Sequence, residues 1–222
     1  MAPPRITIFA GHYGTGKTNL AVNCAFELRE RYDEVWVVDL DIVNPYFRTK
    51  DSKEGLERAG IRFISSAYAN SNVDLPALSP ESYAAFDQKR AQVVIDVGGD
   101  ADGAVALGRF YDRADGEECQ MLLVLNKYRP LTSDLDSTLE IMRAIESASR
   151  RRFSGLVNNS NLSCETTAEV VLASVPYAEE MARATGLPLL YHAARRDIAA
   201  DLGERVSPLK AIDIYGKNVW KI

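Results

Sequence analysis

Short, almost uninterrupted apolar runs recur along this 222-residue chain, and longer segments with helical spacing lie between them. The runs occupy residues 5–10, 34–39, 61–64, 92–97, 121–125 and 155–157, with a weaker run at 189–192. Strands that are apolar on both faces are typical of parallel sheets covered by helices. Their alternation with helices predicts an α/β fold, a doubly wound and mostly parallel β-sheet with helices on both faces.

The segments between the runs predict helices and one long loop. Apolar side chains recur at helical spacing in residues 18–31, 51–59 and 133–149. Pro176 suits the first turn of a further helix. Residues 65–80 lack periodicity and contain two prolines, which predicts a surface loop. Because one pattern runs through most of the chain, we expect a single domain over residues 1–222.

Composition and charge indicate where the protein acts and which partners to expect. The formal net charge is −5, which argues against a nucleic-acid surface because such surfaces are usually basic. No apolar run is long enough to span a bilayer, and the first residues lead into a strand rather than a signal peptide. Cys24, Cys119 and Cys164 are widely spaced and odd in number, so they form neither a disulfide framework nor a metal pair. We therefore expect a cytoplasmic protein with no membrane span and no nucleic-acid partner.

One motif carries specific chemistry. The run GHYGTGKT, from Gly11 to Thr18, matches the pattern G-x-x-x-x-G-K-[ST] and lies between a predicted strand and a predicted helix. Its glycines leave room for phosphates, and the amides at the helix start point toward an anion. Lys17 adds positive charge to the β- and γ-phosphates, and the Thr18 hydroxyl suits Mg²⁺. The predicted nucleotide-binding residues of this loop are Gly11, His12, Tyr13, Gly14, Thr15, Gly16, Lys17 and Thr18.

Acidic residues follow two of the predicted strands. Asp39 and Asp41 come at the end of the second strand as D-L-D, and Asp96 ends the fourth strand. Ligands of doubly wound sheets bind beyond the carboxyl ends of the strands, so these carboxylates are expected near the phosphate loop. Mg²⁺ prefers oxygen ligands and usually takes one or two carboxylates. Asp96 and Thr18 are therefore predicted metal ligands.

The segments GHYGTGKT, VVDLDIVNPYFR and VVIDVGGDADG, in this order, resemble the MinD/ParA-type ATPases. The resemblance covers roughly the whole alternating region and is strongest through Gly103. It implies a P-loop NTPase fold, ATP and Mg²⁺ as ligands, and nucleotide-dependent homodimers. It also implies that Asp41 orients the attacking water, that Asp39 supports Mg²⁺ and that Asp96 is the switch II aspartate.

The chain departs from this family inside the phosphate loop. The family loop carries a signature lysine five residues before the invariant one, and His12 stands at that position here. Histidine is shorter and mostly uncharged near neutral pH, so it does not replace the lysine charge. Arg48 or Lys50 is one candidate source of that charge, and slow hydrolysis by a switch protein is the alternative. The predicted catalytic residues are Lys17, Asp41 and Arg48.

Two segments bear on the identity of the base. The run NKYR at residues 126–129 begins like the guanine-reading N-K-x-D motif, but Arg129 stands where that motif needs a carboxylate. An arginine has no acceptor for the guanine N–H groups. Asn158 ends the next predicted strand, where MinD/ParA-type proteins place an adenine-reading asparagine. These observations favour ATP over GTP, and Asn158 over Asn159 as the base contact.

These features favour a MinD/ParA-type Mg²⁺–ATP-binding protein, a slow ATPase that acts as a switch. Its ligands would be ATP and ADP, and it would form a homodimer and act on a client protein or in metal-enzyme maturation. The alternative is an ATP-dependent small-molecule kinase or synthetase of the dethiobiotin or cobyrinate synthetase type. In that branch the signature lysine is not essential, and the loop at residues 65–80 would bind the acceptor. A third interpretation is a protein that binds ATP without turning it over.

Overall fold

Strands and helices alternate along the chain. The computed structural model describes residues 3–41, 50–65, 80–113 and 119–215. The strands of this part are β1 (Ile6–Ala10), β2 (Val35–Asp39), β3 (Arg62–Ser65), β4 (Gln92–Asp96), β5 (Cys119–Leu125), β6 (Gly155–Asn158), β7 (Leu189–Arg195) and β8 (Leu209–Ile212). Its α-helices are α1 (Lys17–Arg29), α2 (Lys50–Arg58), α3 (Pro80–Asp87), α4 (Asp100–Gly108), α5 (Leu135–Ser149), α6 (Ala168–Thr185) and α7 (Arg196–Leu202).

The eight described strands form one sheet in the order β3-β2-β4-β1-β5-β6-β7-β8. Each neighbouring pair is parallel. The predicted doubly wound α/β fold is therefore confirmed. The central strand β1 lies between β4 and β5, so the strand order reverses there. In such sheets the crevice at the carboxyl ends of the strands, next to the reversal, is the usual place for a ligand.

Helices cover both faces of the sheet, as predicted. Side chains alternate along β1, so that Ile6 and Ile8 are buried on one face and Phe9 on the other. Residues of α3, α4, α5 and α6 join the core on the Ile8 face, and residues of α1 and α2 join the core on the Phe9 face. Burial on both faces explains why the strands are apolar throughout.

The C-terminal half differs in detail from the sequence prediction. α6 begins at Ala168, and the Thr167 side chain caps it by accepting a hydrogen bond from Val170 N. Pro176 lies inside this helix, so the prediction that it opens a helix is wrong. Burial of neighbouring side chains such as Tyr177 stabilises the helix despite the N–H that proline lacks. α3, α4, α7 and β8 have no counterpart in the prediction because their segments are short.

No helix in the described ranges is both long and apolar enough to cross a membrane.

α4 approaches α5 closely where a glycine removes the side chain. A β-carbon at Gly108 would lie 2.6 Å from the Ala148 carbonyl oxygen, which is a backbone atom that cannot rotate away. The glycine of α2, Gly55, has no heavy atom within 4 Å of the corresponding position. The two glycines therefore provide a matched pair for testing the helix packing.

We expect Gly108→Ala to lower the free energy of unfolding by about 1–3 kcal/mol, because the two helices must move apart. Gly55→Ala should raise it by about 0.5–1 kcal/mol, since alanine loses less backbone entropy in a helix. Urea unfolding followed by circular dichroism measures both changes. A stability change of the same sign in the two variants would contradict the α4–α5 contact.

Candidate functional site

The predicted phosphate loop follows β1 directly and ends in α1. Gly11 and Gly16 have positive φ values of 147° and 87°, a region that glycine adopts at little cost. A β-carbon at Gly16 would lie 2.3 Å from Asn159 Nδ2, and one at Gly11 would lie 2.7 Å from the Val124 carbonyl oxygen. No side chain caps the first turn of α1. The loop therefore leads into a helix start whose amides suit an anion.

Hydrogen bonds within the loop converge on one carbonyl group. The His12 carbonyl oxygen accepts bonds from Thr15 N at 3.3 Å, Thr15 Oγ1 at 2.9 Å and Lys17 Nζ at 3.1 Å. Thr15 and Lys17 are buried, whereas the Tyr13 side chain is largely exposed. The His12 backbone thus holds the lysine ammonium over the loop.

The parallel pairing of β1, β2 and β4 places the predicted carboxylates at the same edge of the sheet. Asp39 pairs with Asp96 across β2 and β4, and Asp96 pairs with Phe9, which is two residues before Gly11. Asp39 Oδ1 accepts a hydrogen bond from Asp41 N at 2.8 Å. The carboxylates therefore lie beside the phosphate loop. Their individual roles stay predictions.

Asp96 is the most unusual of these carboxylates. It is 1% exposed, and neither of its oxygens has a hydrogen-bond partner among the described residues. Burial raises the pKa of Asp96 to about 8, and the nearby Asp39 carboxylate adds to the rise. The Lys17 ammonium and the Thr18 hydroxyl lower this pKa, but by less than burial and Asp39 raise it. Burial and the neighbouring carboxylate therefore outweigh the Lys17 ammonium in setting the pKa of Asp96.

The residues present fit Mg²⁺. Asp96 offers two buried oxygens, Thr18 offers a hydroxyl close to them, and Asp39 adds a second carboxylate. No group of three or more His, Cys, Asp or Glu side chains in the described ranges is placed to hold a metal. Mg²⁺ is commonly bound by one or two carboxylates together with waters and substrate phosphates.

A cavity of about 300 Å³ opens beside the start of α1. Its walls combine apolar side chains with a few amide and hydroxyl groups, as is usual for sites that bind planar organic groups. The residues that line it include Gly16, Asn19, Asn159, Ser160, Asn161, Val171, Ala194, Arg195, Ile198 and Ile212. Because Gly16 belongs to both the loop and the cavity, a nucleotide with phosphates in the loop has a place for its base.

Asn158 does not line this cavity. Its Nδ2 donates to Ser174 Oγ at 2.9 Å and lies 2.9 Å from His192 Nδ1, and its Oδ1 accepts from the Ser160 hydroxyl at 2.7 Å. With these partners the side chain uses both donors inside the protein. The base contact of Asn158 stays a prediction, but its neighbour Asn159 is the residue that reaches the cavity.

Asn159 also fastens the phosphate loop to the end of β6. Its Nδ2 donates a hydrogen bond to the Thr15 carbonyl oxygen at 2.7 Å. The sequence favours Asn158, which ends the predicted strand. Asn159 is recognisable from its position directly after the last residue of the strand, because the chain leaves the sheet there at the edge where ligands bind.

The run at residues 126–129 does not line the cavity. Lys127 Nζ donates to the Ala173 carbonyl oxygen at 3.1 Å, and Arg129 Nε donates to the Gly14 carbonyl oxygen at 2.9 Å. The Asn126 side chain accepts a hydrogen bond from Tyr128 N at 3.0 Å. The run thus contacts both α6 and the phosphate loop.

Two predicted features lie outside the described residues. They are the catalytic candidate Arg48 and most of the loop at residues 65–80. The alternative charge donor, Lys50, begins α2, but its side chain is not described.

Comparisons with known proteins agree with the fold. No family model and no curated protein sequence matches the chain. The structure is similar to the cell division protein FtsY of Thermotoga maritima, with a TM-score of 0.60 and 18% identity over 86% of this chain and 62% of that one. It is also similar to the signal recognition particle receptor FtsY of Elizabethkingia anophelis, with a TM-score of 0.52, 17% identity and coverages of 86% and 59%.

A third similar structure is the signal recognition particle 54 kDa protein of Aeropyrum pernix in complex with GDP. Its TM-score is 0.53 and its identity 16%, over 86% of this chain and 41% of that one. The chain has the P-loop NTPase fold. It spans about three fifths or less of the length of these three proteins. At such low identities the similarity shows the fold alone.

The raised pKa of Asp96 predicts a pH-dependent stability without ligands. The folded-state pKa of about 8 lies above the ordinary value of 3.8, so the folded protein keeps this proton longer than the unfolded chain does. Stability is therefore lost as the pH rises toward 8. Asp96→Asn removes this loss, and its stabilising effect should grow between pH 5 and pH 8 by on the order of 2 kcal/mol.

Urea unfolding at the two pH values, without nucleotide and with a chelator present, measures this difference. Asp201→Asn, at an exposed aspartate of α7, is the matched control and should show no such growth. An effect of Asp96→Asn that is the same at pH 5 and pH 8 would rule out the buried ionisable carboxylate.

Proposed function

We propose that the protein is a MinD/ParA-type ATP-binding protein that depends on Mg²⁺, hydrolyses ATP slowly and works as a nucleotide-dependent switch. The observation that carries this proposal is the burial of Lys17 together with Asp96, whose oxygens accept no hydrogen bond from the described residues, beside the phosphate loop. A buried ammonium and a buried carboxylate at a helix start suit a triphosphate and its metal ion.

The proposed roles combine the resemblance to MinD/ParA-type ATPases with the positions of the residues. Lys17 and the amides of the loop hold the phosphates, and Thr18, Asp39 and Asp96 hold Mg²⁺. The metal ion, when bound, neutralises charge on the β- and γ-phosphates. Asp41 comes two residues after the end of β2 and positions the attacking water. Positioning and electrostatic stabilisation supply most of the catalysis in phosphoryl transfer, so this chain needs no covalent step.

The cavity supports adenine over guanine. Guanine recognition needs a carboxylate that accepts from its ring and amino N–H groups, and no Asp or Glu is among the residues that line the cavity in the described part. The Asn159 and Asn161 side chains line it instead. An amide both donates and accepts, which matches the acceptor and donor on the Watson–Crick edge of adenine.

His12 supports slow rather than fast hydrolysis. His12 stands where the family carries its signature lysine, so the loop lacks the permanent charge of that side chain. A protein that stays in its ATP-bound state for long periods suits a switch. We propose that it acts in the cytoplasm, as a nucleotide-dependent homodimer, on a client protein or in metal-enzyme maturation.

Calorimetric titration with Mg²⁺–ATP tests the proposal. We expect wild-type protein to bind ATP, and Lys17→Ala to weaken binding by about 100-fold because the buried charge on the phosphates is lost. Lys53→Ala, at an exposed lysine of α2, is the matched control and should bind like wild type. Mg²⁺–GTP should bind at least about tenfold more weakly than Mg²⁺–ATP.

The outcomes separate the candidate functions. Absence of ATP binding by wild-type protein, or tighter binding of GTP, would contradict the proposal. Slow turnover by the purified protein together with ATP-dependent dimerisation would support the switch. Turnover that appears only when a pool of small metabolites is added would favour the kinase or synthetase alternative.

A further inference from the structure

The segment that follows β8, residues 213–215, contributes to the wall of the cavity beside the start of α1. The Ile214 side chain lines the cavity together with Ile212, which is the last residue of β8. Ile212 is buried, whereas Ile214 is 53% exposed. Ile214 therefore presents apolar surface at the cavity that a ligand bound there can bury.

Two asparagines of α1 hold the backbone of this segment. Asn19 and Asn23 are four residues apart, so their side chains lie on the same face of the helix. Asn19 donates to the Asp213 carbonyl oxygen at 2.9 Å and accepts from Tyr215 N at 2.9 Å. Asn23 donates to the same carbonyl oxygen at 2.9 Å and accepts from Asp213 N at 2.9 Å. The backbone on both sides of Ile214 is therefore tied to α1.

Side-chain contacts fix the two neighbours of Ile214 as well. The Tyr215 ring stacks on the ring of Phe26 in α1, with 5.0 Å between the two centroids. Arg196, the first residue of α7, donates two hydrogen bonds to the Asp213 carboxylate, at 3.0 and 2.6 Å. Because its neighbours are held, the backbone of Ile214 has a defined position before a ligand binds. Such a fixed backbone lowers the entropy cost of binding.

We propose that Ile214 packs against the purine base of the bound nucleotide and that Asn23 is the positioning residue that holds it there. This inference rests on the proposed function, because it takes the cavity as the site of the base. Gly16 of the phosphate loop and Asn19 line the same cavity, so its wall adjoins the loop. The faces of a purine are apolar and gain by burial against an aliphatic side chain. Asn23 does not line the cavity, so it acts through residues 213–215.

Three probes separate the base from the phosphates in a calorimetric titration. Adenosine carries the base alone, Mg²⁺–tripolyphosphate carries the phosphates alone, and Mg²⁺–ATP carries both. We expect Ile214→Ala to weaken adenosine and ATP binding by about fivefold each, because apolar contact with the base is lost. Its affinity for tripolyphosphate should equal that of wild type. Val105→Ala is the matched control, because Val105 is a β-branched residue of α4 with a similar exposure of 50% and does not line the cavity.

A double-mutant cycle tests the role of Asn23. Asn23→Ala removes both of its hydrogen bonds to Asp213, and we expect weaker adenosine binding with unchanged tripolyphosphate binding. Because Asn23 acts through Ile214, the double variant Asn23→Ala/Ile214→Ala should lose no more adenosine affinity than Ile214→Ala alone. Arg196→Ala loosens the same segment from the surface and should show the same selectivity with a smaller loss. Thermal unfolding checks that each variant is folded.

Equal adenosine affinities of Ile214→Ala and Val105→Ala would overturn the inference. A loss of tripolyphosphate affinity as large as the loss of adenosine affinity would also overturn it, since that indicates general damage to the fold. Additive losses in the double variant would overturn the role of Asn23. Tighter wild-type binding of GTP than of ATP, with guanosine affinity lowered by Ile214→Ala, would contradict the proposed function and support this inference. If wild-type protein binds neither nucleotide, the proposed function and this inference are both wrong.

Discussion

Three ionisable side chains are buried together at the carboxyl edge of the sheet: Lys17 at the start of α1, Asp39 at the end of β2 and Asp96 at the end of β4. Burying charged groups is costly unless they are paired, so the surrounding strands and loop must place these groups beside one another. The parallel register of β2 and β4 sets the two carboxylates side by side, and β1 next to them delivers the loop that carries the lysine. The two carboxyl groups suit a divalent cation, and the lysine ammonium suits a phosphate group.

The loop is held from two strands on the other side of β1. Asn159 after β6 donates to the Thr15 carbonyl oxygen, and Arg129 after β5 donates to the Gly14 carbonyl oxygen. Bonds to carbonyl groups leave the loop amides to face a ligand. The asparagine also lines the cavity beside the start of α1.

Most of the features that could be predicted are encoded by short stretches of sequence. The strands were recognisable because burial on both faces leaves an apolar run, and the loop because its glycines and lysine are contiguous. The position of Asn159 directly after β6 is visible in the sequence, but the contacts of Asn158 with Ser174 and His192 arise only in the tertiary structure, and the base contact stays a prediction. The prediction from Pro176 was wrong because packing of α6 outweighs the preference of proline for a first turn. The partnership of Arg129 with the loop joins residues 115 positions apart and has no sequence signature.

The central claim is that the buried lysine and carboxylates form one site for a nucleoside triphosphate and its metal. A crystal structure with a non-hydrolysable ATP analogue and Mn²⁺, whose anomalous signal locates the ion, tests it most directly. The account predicts the triphosphate in the loop against Lys17, the metal ion between Thr18 and Asp96, and the base in the cavity beside Asn159. A metal ion bound away from Asp96, or phosphates bound outside the loop, would contradict it.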